Sequence, residues 1–362
     1  MSRTHHSGER LASLDILRGF DLFLLLFLQP VVVGIGRALN VGWLNAVLYQ
    51  LDHEVWAGFR VWDMVMPLFL FMVGTSMPFS FSKYRTPGVR SGRIYGKILY
   101  RAAILFLLGM IVQGNLLGLD PHRIYIYNNT LQAIAVGYLI AAMIYLHMDT
   151  LGQIVATLAL LVIYTVPMML RGDYSVEGNY AYSVDLLVLG PYRGDITYTW
   201  VWSSLTFGVT VMLGVFAGRI IRAGSNARAR AGAYLLLIGL LLVGAGWLSG
   251  MAIPIIKRLW TSSMALFSGG VCFLLMGLFY YWVDVLGFTF GLGWVRIYGM
   301  NAITAYVIGE TINFRCIVAS LTYGLEPRLG ESGYDALLTA GNALILFFIL
   351  LYMYRRRIFV KI

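Results

Sequence analysis

The sequence predicts an all-α polytopic membrane protein with about ten transmembrane helices, and three observations predict it. Of 362 residues, 59% are hydrophobic and 12% charged, with a mean hydropathy of +0.75; soluble domains are nearer half apolar and a quarter charged. The apolar residues fall in continuous runs approaching about 20, the length that crosses about 30 Å of hydrocarbon at 1.5 Å per residue. Polarity does not alternate along these runs as in barrel strands, so a helix that satisfies its own backbone is required.

Ten runs are candidate spans, at residues 14–34, 62–81, 98–113, 130–146, 152–170, 203–221, 231–248, 262–283, 297–312 and 334–354. The third, fourth and ninth are the shortest. The first is expected to be retained rather than cleaved, because Asp15, Arg18 and Asp21 stand at its start and no small-residue cleavage site precedes Pro30. The runs leave no room for a soluble module, so residues 1–362 are expected to form a single membrane domain. Gly214 and Gly218 in the sixth run have GxxxG spacing, which chance supplies readily in a chain with 40 glycines. Two cysteines, Cys272 and Cys316, build neither a disulfide framework nor a metal site.

Orientation follows from the Lys and Arg residues. With the N-terminus inside, 18 of the 27 fall on the inner side, so both termini are expected to be cytoplasmic. The net charge of +10 is then an orientation signal rather than a nucleic-acid surface. Loops 34–61 and 171–202 lie on the far side. The second holds Asp173, Glu177, Asp185 and Asp195 against Arg171 and Arg193, which reads either as a cover for an external pocket or as solvated surface.

Ionisable groups in or beside apolar spans are costly and are functional candidates by default. His53 leads, since among five histidines it alone precedes a span rich in polar groups. Its imidazole can take a proton from an amine or hydroxyl, or attack a thioester, with Asp52 or Glu54 orienting the ring; the alternative is an interfacial residue bonded to a loop carbonyl. Asp63 either pairs with Arg60 or anchors a polar substrate. Asn128, Asn129 and Gln132 either cap the fourth span or stabilise an oxyanion, and Asn301 is either a helix-to-helix hydrogen bonder or a site residue. Glu310 needs a partner or a wet cavity. Arg18 either pairs with Asp15 or faces a phosphate, and Lys83, Arg85, Lys97, Arg101, Arg219 and Arg222 share its side, making either a positive mouth for a phosphorylated ligand or simply the topology signal.

Several segments, spread from residue 11 to residue 362, resemble the heparan-alpha-glucosaminide N-acetyltransferase family. They are Leu11-Ala-Ser-Leu-Asp-Ile-Leu-Arg-Gly19, His53-Glu-Val-Trp-Ala-Gly58, Asp63-Met-Val-Met-Pro67, Phe69-Leu-Phe-Met-Val-Gly74, Leu131-Gln132, Leu213-Gly-Val-Phe-Ala-Gly218, Leu259-Trp-Thr-Ser263, Gly299-Met-Asn301 and the ending Tyr354-Arg-Arg-Arg-Ile-Phe-Val-Lys-Ile362. The resemblance implies transfer of acetyl from cytoplasmic acetyl-CoA to an amino sugar or oligosaccharide across the membrane, without a metal. It implies His53 as base or transient nucleophile; together with the readings of single residues, Asp63, Gln29, Gln132 and Asn301 are expected in the site and Arg18, Lys83, Arg101, Arg219 and Trp260 at the donor. Ternary-complex and ping-pong routes both remain open.

The sequence departs from the family at Gln29, where animal enzymes carry asparagine. It departs also at Asn128-Asn129-Thr130, which replaces a Pro-Gly-Val-like stretch, and at Ala133, which replaces an arginine. These changes bear on the acceptor. A smaller bacterial-type relative in an inner membrane is expected, with no large luminal domain before the first helix, with the lipid bilayer as surroundings, a homodimer as an allowed assembly and no nucleic-acid partner. Rival readings are an amino-sugar transporter or permease and an O-acyltransferase of external glycans or lipids.

Overall fold

The structure, a computed structural model, describes residues 11–39, 41–84, 92–114, 116–120, 122, 124–194 and 199–360, without the side chain of Lys83. The membrane-length helices are α1 (Ala12–Leu39), α3 (Val61–Phe81), α4 (Arg93–Val112), α5 (Thr130–His147), α6 (Thr150–Arg171), α8 (Ser204–Ala223), α9 (Arg228–Ser249) and α10 (Ser262–Val285), together with the long C-terminal stretch Arg315–Arg355. Nine elements among the described residues are thus long and apolar enough to cross a membrane. Shorter helices fill the connections: α2 (Gly42–Gln50), α7 (Tyr180–Val188), α11 (Gly293–Met300), α12 (Ala302–Thr311) and α13 (Arg315–Thr322), with α14 (Glu326–Arg355) closing the chain. Gly330, at φ 68° and ψ 170°, breaks α14 near its start.

The expected ninth span, 297–312, is not one helix. It breaks at Asn301 (φ −125°, ψ 45°) into α11 and α12. Hydropathy does not see the cause: the Asn301 amide gives a hydrogen to the Ile358 carbonyl at 2.9 Å and accepts one from Val360 N–H at 3.0 Å, which draws its backbone out of the helix. Non-helical backbone at membrane depth is tolerated where it lines a cavity or packs in protein, and residues on both sides of this break line a cavity. The first span runs on to Leu39 with a π-helical stretch at Leu24–Leu28. Pro30, which has no N–H for the carbonyl four residues back, follows directly.

Helices α3 and α8 form the centre. In the most apolar window of α3, 78% of residues are buried, against 22% in α6, and α6 and α9 expose Leu158, Val162, Leu240 and Leu241 as faces suited to lipid. The GxxxG pair is a contact rather than an accident of composition. A Cβ on Gly214 would lie 2.0 Å from the Phe71 carbonyl oxygen and one on Gly218 2.3 Å from that of Thr75, so only hydrogen lets α8 approach α3 this closely. Phe71 meets Phe273 of α10 edge to face at 5.2 Å, within a core that includes Leu70, Phe207, Met212 and Trp260.

Candidate active site

His53 lies in the loop 51–60 between α2 and α3, and a β-bridge and side-chain hydrogen bonds fix that loop. Ala57 forms an antiparallel bridge with Ile256, and Gly58 N–H donates to the Ile255 carbonyl at 2.9 Å, so the loop is laid against segment 250–261. Gln29 Nε2 donates to the Leu51 carbonyl at 3.3 Å, Trp56 Nε1 to that of Tyr174 at 2.7 Å, and Arg60 Nε to Glu54 at 2.9 Å. Gln29 therefore supports the loop two residues before His53.

Asp63 sits in the first turn of α3, wholly buried, where the helix N-terminus favours a negative charge. Its Oδ2 accepts the backbone N–H groups of Arg60 at 3.0 Å and Glu54 at 3.3 Å. Its Oδ1 lies 2.9 Å from His53 Nδ1 and 3.3 Å from Lys257 Nζ. Lys257 Nζ is also 2.8 Å from Nδ1 and 3.4 Å from Nε2 of the ring. In the tautomer with hydrogen on Nδ1, an ionised Asp63 accepts from both Nδ1 and Nζ, the 2.8 Å approach of Nζ to Nδ1 is a contact between two donors bridged by that carboxylate, and Nε2 keeps its lone pair. The His53 side chain remains 38% exposed while Asp63 is 0% and Lys257 13% exposed, so the ring and the Lys257 ammonium are open to the cavity and the carboxylate beneath them is not. Burial pushes the Lys257 ammonium down to about 8, with Arg258 adding to the effect and Asp63 opposing it.

This geometry corrects two expectations. The carboxylate orienting the ring is Asp63, not Asp52 or Glu54: Asp52 accepts the backbone N–H of His53 at 2.8 Å and Glu54 pairs with Arg60. Nor do Arg60 and Asp63 form a side-chain ion pair. The guanidinium turns to Glu54 and lies 3.9 Å from the centre of the Tyr49 ring, and only the Arg60 backbone reaches Asp63.

Two cavities lie back to back beside this cluster. The first, about 310 Å³, is lined by His53, Lys257, Arg258, Asn128, Asn129, Gln113 and Glu310, with apolar residues of α3. The second, about 290 Å³, is lined by Arg18, Arg101, Ser76, Ile134, Gly299, Phe359 and Val360 among others. Phe69, Thr130 and Tyr306 line both, and the Phe69 and Tyr306 rings meet at 6.4 Å. One face of α3 borders the pair, from Trp62, Val65 and Met66 through Phe69 to Val73 and Ser76, a path of about 20 Å at 1.5 Å per residue. Among the described residues, no group of three or more His, Cys, Asp or Glu is placed to hold a metal ion.

Of the other candidates, Arg18 and Arg101 meet at the second cavity. Arg101 lies 4.7 Å from the centre of the Tyr138 ring, and its buried Nε has no hydrogen-bond partner. Gln132 spends its amide on the loop before α5, accepting from Asn128 N–H and donating to the Ile126 carbonyl, both at 2.7 Å. Asn129 caps α5 through Leu131 N–H at 2.8 Å. Asn301 grips the C-terminal tail. Arg219 bonds Gln153 at 2.7 Å and Thr150, tying α8 to α6. Trp260 is fully buried, donates to Thr210 at 2.9 Å and packs on Phe207. Gln29, Gln132, Asn301, Arg219 and Trp260 border neither cavity, and the Lys83 side chain lies outside the described residues. Sequence reading missed Lys257, Phe69 and Tyr306. Lys257 carries no local sequence signal, and no spacing rule joins residues 204 apart.

Over residues 10–250 the chain matches the family model described as "Heparan-alpha-glucosaminide N-acetyltransferase, catalytic". It is 30% identical over 106 residues to the mouse protein named "Heparan-alpha-glucosaminide N-acetyltransferase", covering 29% of this chain and 14% of the relative. It is 31% identical over 103 residues to the human protein of that name, covering 28% and 14%. The matched part is thus a small fraction of those curated relatives' length. The model match, by contrast, spans most of this chain, from α1 to the end of α9, and includes the His53 loop, Asp63, Arg18 and Arg101. On that match, and with helices long enough to cross a membrane nine times, the chain belongs to the heparan-alpha-glucosaminide N-acetyltransferase family, a family of membrane acetyltransferases.

Proposed function

We propose that this protein transfers acetyl from acetyl-CoA, entering at the Arg18 and Arg101 cavity, to an amino sugar or other glycan amine in the His53 cavity. The observation that carries the reading is the pair of cavities sharing Phe69, Thr130 and Tyr306, with cations in one and a carboxylate-supported imidazole in the other. A thioester and an amine entering from opposite ends of such a path would meet beside Nε2. The buried, unbonded Nε of Arg101 is a donor suited to a phosphate oxygen. In this reading α11 and α12 together make a broken tenth crossing, so both termini share the cytoplasmic side with the cationic end, as the Lys and Arg distribution favours, and the membrane is a bacterial inner membrane.

In this reading Asp63 holds the Nδ1 hydrogen, so that Nε2 takes the proton of the attacking amine or attacks the thioester itself. Asn128 and Asn129, which line the His53 cavity, and Glu310 opposite provide polar groups for a sugar. The test is His53→Ala in purified protein, assayed for CoA release from acetyl-CoA in the presence of glucosamine. Turnover is expected to vanish while acetyl-CoA binding persists. Full turnover in the variant removes His53 from the chemistry, and glucosamine uptake into proteoliposomes without acetyl-CoA favours a transporter instead. An alkali-labile product shows ester rather than amide formation.

A further inference from the structure

Lys257 stands at the rim of the His53 cavity on segment 250–261, which is held firmly. The Ala57 and Ile256 bridge docks it on the His53 loop, the Thr261 hydroxyl accepts Ile256 N–H at 3.2 Å, and Trp260 N–H donates to the Lys257 carbonyl at 3.0 Å. Asp63 does not depend on this cation for its hydrogen bonds, since it already accepts from Arg60 N–H, Glu54 N–H and the ring. A buried ammonium is costly to retain, and this one lies 3.4 Å from the ring nitrogen that faces the reaction.

We infer that Lys257 is a further catalytic residue, whose ammonium stabilises the oxyanion formed on the thioester carbonyl when the acceptor attacks beside Nε2 of His53. This rests on the acetyltransferase reading above. The amine lone pair forms the new C–N bond, and the carbonyl π pair moves onto oxygen within reach of Nζ. His53 Nε2 takes the amine proton. The oxygen pair then re-forms the carbonyl, the C–S bond breaks, and the departing CoA sulfur takes the proton from His53. Lys257 keeps its three hydrogens throughout, and charge developing next to a fixed cation whose side chain is only 13% exposed is where such a group acts most strongly.

The role requires the charged form of Lys257. The groups around it are Asp63 from α3, His53 and the Glu54 and Arg60 pair from the loop, Arg258 from its own segment and Glu310 of α12 across the cavity. Because burial pushes the ammonium down to about 8, kcat falls as pH rises through about 8, approaching tenfold per pH unit above it.

The experiment is kcat and KM for acetyl-CoA against pH, with glucosamine as the acceptor probe, for the full chain and for Lys257→Met and Lys257→Arg. Thermal unfolding in detergent reports folding. Lys257→Met is expected to lose about 10²- to 10³-fold in kcat with KM within threefold. Lys257→Arg is expected to keep measurable turnover with its alkaline limb moved above about pH 10. A Lys257→Met kcat within threefold of the unaltered chain, or an alkaline limb still near pH 8 in Lys257→Arg, overturns the inference and leaves the acetyltransferase reading intact. If Lys257→Met does not fold, the limb of Lys257→Arg decides alone. No CoA release by the unaltered chain overturns the acetyltransferase reading and this inference together.

Discussion

Replacing Asp63 with Asn tests the geometry at its most buried point. Asparagine is nearly isosteric and keeps one oxygen able to accept the Arg60 N–H, bonded to Asp63 at 3.0 Å. Its NH2 group, turned to Nδ1, would demand the nitrogen lone pair there and move the ring proton to Nε2, which then has no capacity to take another. The variant also loses the carboxylate 2.9 Å from the ring, where unit charges at an effective dielectric of about 20 interact by about 5–6 kcal/mol. Part is recovered through retained hydrogen bonds, so a loss of about 10³- to 10⁴-fold in kcat is expected, comparable to Asp-to-Asn changes in other His–Asp pairs. The assay is initial-rate CoA release at saturating acetyl-CoA and glucosamine, with unfolding temperature measured alongside. Turnover within tenfold of the unaltered chain, in a folded variant, would refute the orienting role, as would a loss confined to KM.

Two further outcomes follow from the same structure. Arg101→Met removes a donor at the second cavity; a charge-assisted hydrogen bond contributes about 1.5–3 kcal/mol, so KM for acetyl-CoA is expected to rise at least tenfold with kcat within threefold, and an unchanged KM would exclude Arg101 from donor binding. Burial pushes the Asp185 carboxyl up to about 7 while its Oδ1 accepts Val201 N–H at 2.8 Å. The folded state therefore holds a proton that the unfolded chain has released above about pH 4, so the contribution to stability is largest in acid and is lost as pH rises to about 7. Hydrogen exchange at Val201 should be slower at pH 5.5 than at pH 8 after correction for intrinsic rates, and Asp185→Asn should remove the difference; a difference that survives in the variant points to another group.

The helices were legible because hydrocarbon thickness imposes a length that the apolar runs display directly. The place of His53 at a cavity was legible by isolation, as a histidine beside a span and away from the tail. What escaped was set by contacts between distant segments. The break at Asn301 depends on a tail 57 residues away, and Lys257 reaches His53 across 204 residues. Arg60 and Asp63, three apart, invited a local pairing that the fold avoids by offering Glu54 to one and His53 to the other. Gln132 and Asn301 looked available for chemistry because sequence alone does not show that unpaired backbone groups nearby would claim their amides. The GxxxG pair was undervalued for the converse reason: its frequency was visible and the opposing carbonyls were not.

The clasp of Asn301 on Ile358 and Val360 bears on how the protein is handled. Phe359 and Val360 form part of the wall beside Arg18 and Arg101, so an affinity handle or fluorescent reporter joined close after Val360 adjoins that wall. Such a fusion risks prising the tail away or crowding the opening proposed for the acetyl donor, and kinetics from it would include the label's effect. Attaching the handle ahead of residue 11 keeps that wall as the chain itself builds it.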